Sequence, residues 1–250
     1  MIFNIFGRNN DTNTDKNSNT VLSTPDSIII NSYRCLFDTT SSKEFVLEHF
    51  DEYAQLFSQL PPLPIDIRFV GGDGELFISK PMESGSFPNV RDISGALLET
   101  SINDPVELLH EHGHAFDFKN NIRESESVDF HKLKKPFVDA LYTKCNELVT
   151  DNAYANDVFK RNLIYASSDE EIYARLYEEY MLEHLDMPEF FKRFDTSWYD
   201  DVIHETYLTN KEVVDEFISD ALSNYLFDYS IKDVSSYQAI NKVKDDNITL

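Results

Sequence analysis

Val106-Glu107-Leu108-Leu109-His110-Glu111-His112-Gly113-His114-Ala115-Phe116-Asp117 carries an HExxH signature, and its reading as a helix organises the rest of the chain around it. Residues four apart on an α-helix lie one turn along the same face, so His110 and His114 can present two imidazole nitrogens to one tetrahedral Zn²⁺. Glu111 is rotated about 100° from His110 yet still borders that face, which puts its carboxylate within reach of a water at the metal as general base. His112 points to another side of the helix and is expected to be an exposed or outer residue, not a ligand. Asp104-Pro105 supplies an N-cap followed by proline at the first helical position, so the helix is expected over residues 105–119.

Upstream of this helix the chain reads as strand-bearing. Residues 27–37, with Ile28, Ile29, Ile30, Tyr33 and Leu36, form a strand candidate. Ser41-Ser42-Lys43-Glu44 is a capping box, and Phe45, Leu47, Phe50, Tyr53, Ala54, Phe57 and Leu60 follow at helical spacing until Pro61-Pro62. Residues 65–70 and 75–79 alternate apolar and polar around Gly71-Gly72-Asp73-Gly74, which predicts a β-hairpin. No helix or Lys-Ser or Lys-Thr pair follows that would make the glycines a phosphate loop. Residues 92–99 are a further strand. Downstream nearly everything is helical, with segments expected over 129–149, 155–165, 168–185, 187–193, 197–207 and 210–228. The fold class is therefore α+β. It has a strand-bearing lobe over 26–120, a helical lobe over 121–230, and the HExxH helix at the cleft between them in a single domain. The polar residues between Arg8 and Thr20 mark 1–25 as a flexible leader, and 231–250 read as a weakly patterned tail.

Composition narrows the partners. Of 250 residues, 41% are apolar, enough for a packed core, while 22 Lys and Arg face 45 Asp and Glu for a net charge of -23. Such a surface repels phosphate backbones and anionic lipids and attracts basic peptides, so a protein or peptide partner is expected, with no nucleic acid and no membrane. Cys35 and Cys145 fit neither a disulfide framework nor a metal-ligand spacing. No apolar run approaches the ~20 residues of a membrane span, and Met1-Ile2-Phe3-Asn4-Ile5-Phe6 is too short for a signal-peptide core, so a cytoplasmic protein is expected.

Two histidines leave the metal shell short of a ligand. A metzincin continuation needs Gly at 117 and His at 120, where the chain has Asp117 and Asn120, so the third donor must come from elsewhere, such as a carboxylate on a later helix. Ser168-Asp169-Glu170-Glu171-Ile172-Tyr173-Ala174-Arg175-Leu176-Tyr177-Glu178-Glu179 stands out among those helices. HExGH followed by a Glu-x-aromatic-Ala helix is similar to the anthrax lethal factor and Pro-Pro endopeptidase group of gluzincin-type peptidases. Glu171-Ile172-Tyr173-Ala174-Arg175-Leu176-Tyr177 also resembles metallopeptidase modules of phage polyvalent proteins.

The resemblance covers roughly residues 92–180 and implies a zincin-like fold. His110, His114 and Glu171 fall on its zinc ligands, Glu111 on its base, and Asp117 on an outer residue of its His-Ala-x-Asp continuation. Residues 92–99 fall on an edge strand that pairs with extended substrate. Ser168-x-x-Glu171 is also a capping box, in which the Glu171 carboxylate would bind its own helix end; Glu170, Glu178 and Glu179 are the alternative ligands. The group carries a tyrosine seven residues before the ligand Glu to hold the oxyanion. Here that position is Ile164 and the tyrosine is Tyr165, with His204 as another candidate. Four residues after the ligand the group tends to have a second Glu, where this chain has Arg175. The resemblance implies a zinc endopeptidase; the rival expectation is a non-catalytic protease-like fold serving as a binding or phage structural protein.

Overall fold

The computed structural model describes residues 27–71, 75–77, 96–118, 123–188, 191 and 197–246. The leader, the glycine turn and most of the segment expected as a helix over 187–193 lie outside the described residues. The fold is α+β, with a five-stranded mixed sheet on which the helices are built.

Residues 27–37 are two strands, not one: β1 (Ser27–Ile30) and β2 (Tyr33–Phe37) pair antiparallel with Ile30 opposite Tyr33. The turn between them places Asn31 at φ 53°, a left-handed conformation that asparagine tolerates better than the apolar residues around it, and its side chain donates to Ala54 O at 2.8 Å. The helix that follows is also divided. In α1 (Thr40–Glu48) the cap is Thr39, whose hydroxyl accepts from Ser42 N, two residues before the expected Ser41. His49 breaks the run, and α2 (Phe50–Gln59) buries Tyr53, Leu56 and Phe57.

The sheet order is β1-β2-β3-β5-β4. The expected hairpin between β3 (Ile65–Val70) and β4 (Glu75–Phe77) does not form, because β5 (Ala96–Ser101) lies between them, parallel to β3 and antiparallel to β4. The cause lies in β3. Ile65, Ile67, Phe69 and Val70 are all buried, and such a strand is stabilised by a neighbour on each side. The three-residue β4 is left at the edge, as short strands commonly are. Cross-strand ion pairs sit on the parallel registers: Arg34 meets Asp66 directly opposite, and Arg68 Nη1 reaches Glu99 Oε1 at 2.8 Å.

Ile102 N donates to Val70 O at 2.9 Å, and the chain then turns into α3 (Glu107–Phe118), two residues later than Asp104-Pro105 suggested. Its entry is a tight turn of three-residue bonds, Leu108 N to Pro105 O and Leu109 N to Val106 O. Beyond a 3-10 turn come α4 (Val128–Leu133) and α5 (Lys135–Glu147), separated at Lys134 ahead of Pro136, then α6 (Ala153–Ala166) and α7 (Asp169–His184). The two helices expected after residue 197 join as α8 (Trp198–Asp246), kinked at Asn210, whose side chain donates to Thr206 O at 2.9 Å. Its backbone stays helical through most of the segment expected as a tail.

One hydrophobic core runs from the sheet through α3 and α7 to α8. α7 packs between α3 and α8, which is why Glu171, Ile172, Tyr173, Ala174, Leu176, Tyr177, Glu178, Glu179 and Met181 are all buried despite lacking a single apolar stripe. Among the described residues no helix is long and apolar enough to cross a membrane.

Candidate metal centre

The site forms where α3 crosses α7. The entry of α3 is tied to the sheet: Ser101 N donates to Glu107 Oε2 at 2.7 Å, and Asn103 Nδ2 donates to Gly71 O at 2.9 Å. At the crossing, a Cβ on Gly113 would lie 3.1 Å from Ala174 Cα, Ala174 O and Tyr177 Cδ1. Two of those atoms are backbone and cannot swing aside, so only glycine lets the helices approach this closely. Gly113→Ala is expected to cost about 1–3 kcal/mol of stability by overpacking. It should also weaken any metal binding at the site, because the facing side chains of α7 move outward with their helix. Denaturation and chelator competition measure the two effects, and unaltered metal affinity would break the link between them.

Each side of this contact carries ligand chemistry. His110 Nε2 and His114 Nε2 lie 3.2 Å apart with their rings at 88°. Glu171 places Oε1 3.2 Å from His110 Nε2 and Oε2 3.5 Å from His114 Nε2. Donors held about 2.0–2.1 Å from a tetrahedral cation stand about 3.3–3.4 Å apart, so the spacing of the two imidazoles and that of Oε1 from His110 are close to the edges of such a shell, while Oε2 faces His114. A Glu111 carboxylate oxygen joins the two imidazoles in a cluster whose ligand atoms all lie within 4.8 Å, a group that could hold a metal ion. Among the described residues Glu111 makes no ion pair with either ring.

The charge states follow from these contacts. Burial by itself would lower the pKa of His110, but the Glu171 and Glu178 carboxylates outweigh it and raise it to about 10. Glu171 is held well below the usual carboxylate range: burial pushes its pKa up, while His110, His114 and Arg175 together pull it further down. Burial raises the Glu111 carboxyl against the opposing pull of His110 and His114. The site thus holds a proton that a bound metal ion would have to displace, which sets a pH dependence. Metal affinity should rise with pH, by about tenfold per unit for one displaced proton, and level off above about 10. In the metal-free protein the same raised pKa stabilises the fold fully below about 6.5, and that contribution is lost as pH rises through about 10. Chelator-buffered titrations at several pH values check the slope; a flat profile from pH 6 to 9 would contradict the proton assignment.

The capping-box reading of Glu171 resolves by half. Ser168 Oγ does accept from Glu171 N at 3.3 Å, but the Glu171 carboxylate turns to the histidines, so one residue serves the helix through its backbone and the site through its side chain. The alternative carboxylates separate cleanly. Glu170 pairs with Arg123 at 2.7 Å, Glu179 with His204 Nδ1 at 3.0 Å, and Glu178 Oε2 lies 3.6 Å from His110 Nδ1, behind the donor nitrogen. His204 is therefore taken up at the α7 and α8 contact. Tyr165 stays beside the site even though it is six residues before Glu171, because only Ser167 and Ser168 separate α6 from α7. Its pKa is raised by burial and by the neighbouring Glu171 carboxylate, which keeps it a neutral donor, although about half its surface is exposed.

Comparison with family models, curated proteins and solved structures finds no match.

Two expectations are corrected by burial. His112 points away from the imidazole pair, as expected, but it is not exposed: it is fully buried, with Nε2 3.0 Å from Tyr33 Oη and Nδ1 2.9 Å from Tyr177 Oη. Tyr33 donates its hydroxyl proton to Pro61 O at 2.7 Å, so His112 Nε2–H donates to Tyr33, while Nδ1 shares a hydrogen bond with the Tyr177 hydroxyl. This relay fastens α3 to β2 on one side and to α7 on the other. The second correction concerns residues 92–99, of which the described part belongs to β5: it is an interior strand, with Leu98 and Thr100 buried, and the edge on that side of the sheet is β4. Asp117 is buried and accepts from Ser125 N at 2.9 Å and Ser125 Oγ at 2.6 Å, which anchors the turn beyond α3. The sequence reading missed Arg175 and Asp200 as residues of the site, although Glu171, Arg175 and Glu178 stand at i, i+4 and i+7, a spacing that places all three on one helical face.

Proposed function

We propose that this chain is a zinc-dependent endopeptidase with a zincin-like arrangement, His110, His114 and Glu171 holding the metal and Glu111 acting as general base. The observation that carries the reading is the convergence of two imidazoles and one carboxylate at 3.2–3.5 Å spacing with a second buried carboxylate alongside. Bound zinc supplies Lewis acidity, making a water more acidic and polarising a carbonyl. Glu111, with its raised pKa, accepts the proton from the attacking water at a carboxylate oxygen and returns it to the leaving amine. Tyr165 donates its hydroxyl to the carbonyl oxygen as charge develops there. Substrate lies extended along β4, the edge strand packed near α3, and adds to the sheet through its backbone. The resemblance of the two short motifs to the lethal factor and Pro-Pro endopeptidase group supports the same assignment, and the net charge of -23 favours cationic peptides.

The test is metal removal. Purified protein should carry about one zinc per chain. It should cleave members of a peptide library that spans positive to negative charge, lose that activity to a chelator and regain it with added zinc. Cleavage of cationic members should slow most with salt. Protein that folds without taking up zinc would overturn the reading.

A further inference from the structure

The proposed third ligand is gripped from behind by a buried cation. Arg175 lies one turn beyond Glu171 on α7, its side chain 13% exposed, and donates from Nη2 to Glu171 Oε1 at 2.7 Å. Its other branch, Nη1, bonds Asp200 Oδ1 in the first turn of α8. The guanidinium also lies over Tyr199, with Cζ 4.9 Å from the ring centroid, and the Tyr199 ring meets Tyr165 edge-on at 6.3 Å. Asp200 is itself fixed. Its Oδ2 accepts from Ser197 N at 2.9 Å and Ser197 Oγ at 2.6 Å, while Asp200 N lies 3.4 Å from Ser197 Oγ, a reciprocal cap at the start of α8. An unbroken path thus runs from the α8 cap through Asp200 and Arg175 to the Glu171 carboxylate.

We infer that Arg175, anchored by Asp200, is a positioning residue that holds Glu171 Oε1 and so fixes the plane in which the Glu171 carboxylate meets His110 and His114. The inference rests on the zinc reading and deepens it. A carboxylate left alone can swing or bind through both oxygens, which fills the position a catalytic site keeps open. A planar fork held at both branches fixes the plane of the carboxylate it binds, and lysine, a point charge with one reach, cannot do so. Held in that plane, Oε1 stays 3.2 Å from His110 Nε2 and Oε2 3.5 Å from His114 Nε2, one oxygen to each imidazole. The same clamp ties the metal shell to α8, so the packing of that helix is transmitted to the ligand set.

The experiment measures zinc affinity by chelator competition, and ligand number by the visible absorption of the cobalt-substituted protein, in the full chain and three variants. Arg175→Gln should bind zinc about 10–100-fold more weakly and show the weaker absorption of an expanded cobalt shell. Asp200→Asn, a change at a helix cap, should move both readouts in the same direction by less, and it decides the matter if Arg175→Gln does not fold. Arg175→Lys keeps the charge but should recover only part of the affinity. Variants with wild-type affinity and an unchanged cobalt spectrum would overturn the clamp, as would full rescue by lysine, because charge alone would then suffice. A wild-type chain that takes up no zinc would instead bring down the metal reading on which the clamp depends.

Discussion

Glu111→Gln is expected to retain its zinc and lose peptide hydrolysis by about 10²–10⁴-fold, the range a positioned general base contributes. The substitution is nearly isosteric, so the buried position on α3 stays filled and the imidazole pair is undisturbed. What disappears is a carboxylate oxygen able to take and return a proton, together with the negative charge near the attacking water. Burial already raises the pKa of this carboxyl, which brings it towards the working range of a base at neutral pH. Metal content and turnover must be measured on the same sample. Substantial hydrolysis by the zinc-loaded variant would move the base to another residue. A wild-type chain that binds zinc and cleaves nothing would favour a metal-stabilised binding scaffold.

The second large effect separates the acidic residues of α7. Glu171→Gln is expected to empty the metal site, with a loss of affinity beyond the about 10–100-fold that an outer partner costs, and to abolish hydrolysis with it. An amide oxygen is a weaker donor than a carboxylate, and its NH₂ face would oppose the Arg175 guanidinium that now meets Glu171 Oε1 at 2.7 Å. Glu170→Gln should bind zinc as the wild type does, because that side chain is half-exposed and engaged with Arg123. Glu179→Gln should do the same, since its partner is His204. A loaded Glu171→Gln beside an empty Glu170 or Glu179 variant would reassign the third ligand.

Much of this site is local, which is why it was legible before any fold was known. The i, i+4 placement of His110 and His114 depends only on α3 being helical, and the position of Glu111 beside them follows from the same geometry. Glu171 could be picked out by resemblance but not chosen over its own helix cap by any local rule, because Ser168-x-x-Glu171 satisfies both readings. The two halves of the residue separate only when α3 arrives opposite. The sheet shows the same limit. Alternation in residues 65–70 and 75–79 correctly marks β3 and β4 as strands, yet pairing them as a hairpin fails, because β5, far along the chain, takes the place between them.

His112 shows how burial reverses a reading made from helical phase. Its phase puts it away from the metal, as expected, but that side of α3 faces Tyr33 and Tyr177, not water. Nothing within the HExGH run announces two tyrosines 79 residues upstream and 65 downstream.

Left to itself, the order of residues determined a helix with two imidazoles and an acid along one border, an α+β division of the chain, and an acidic surface, since each depends on spacing or composition along a single segment. Which carboxylate meets the imidazoles, which strand lies at the edge, and how Arg175 and Asp200 hold Glu171 were decided by tertiary structure. Strand order was decided by pairing between distant segments, and the ligand set by how closely α3 and α7 approach, a distance limited by Gly113 against Ala174, residues 61 positions apart.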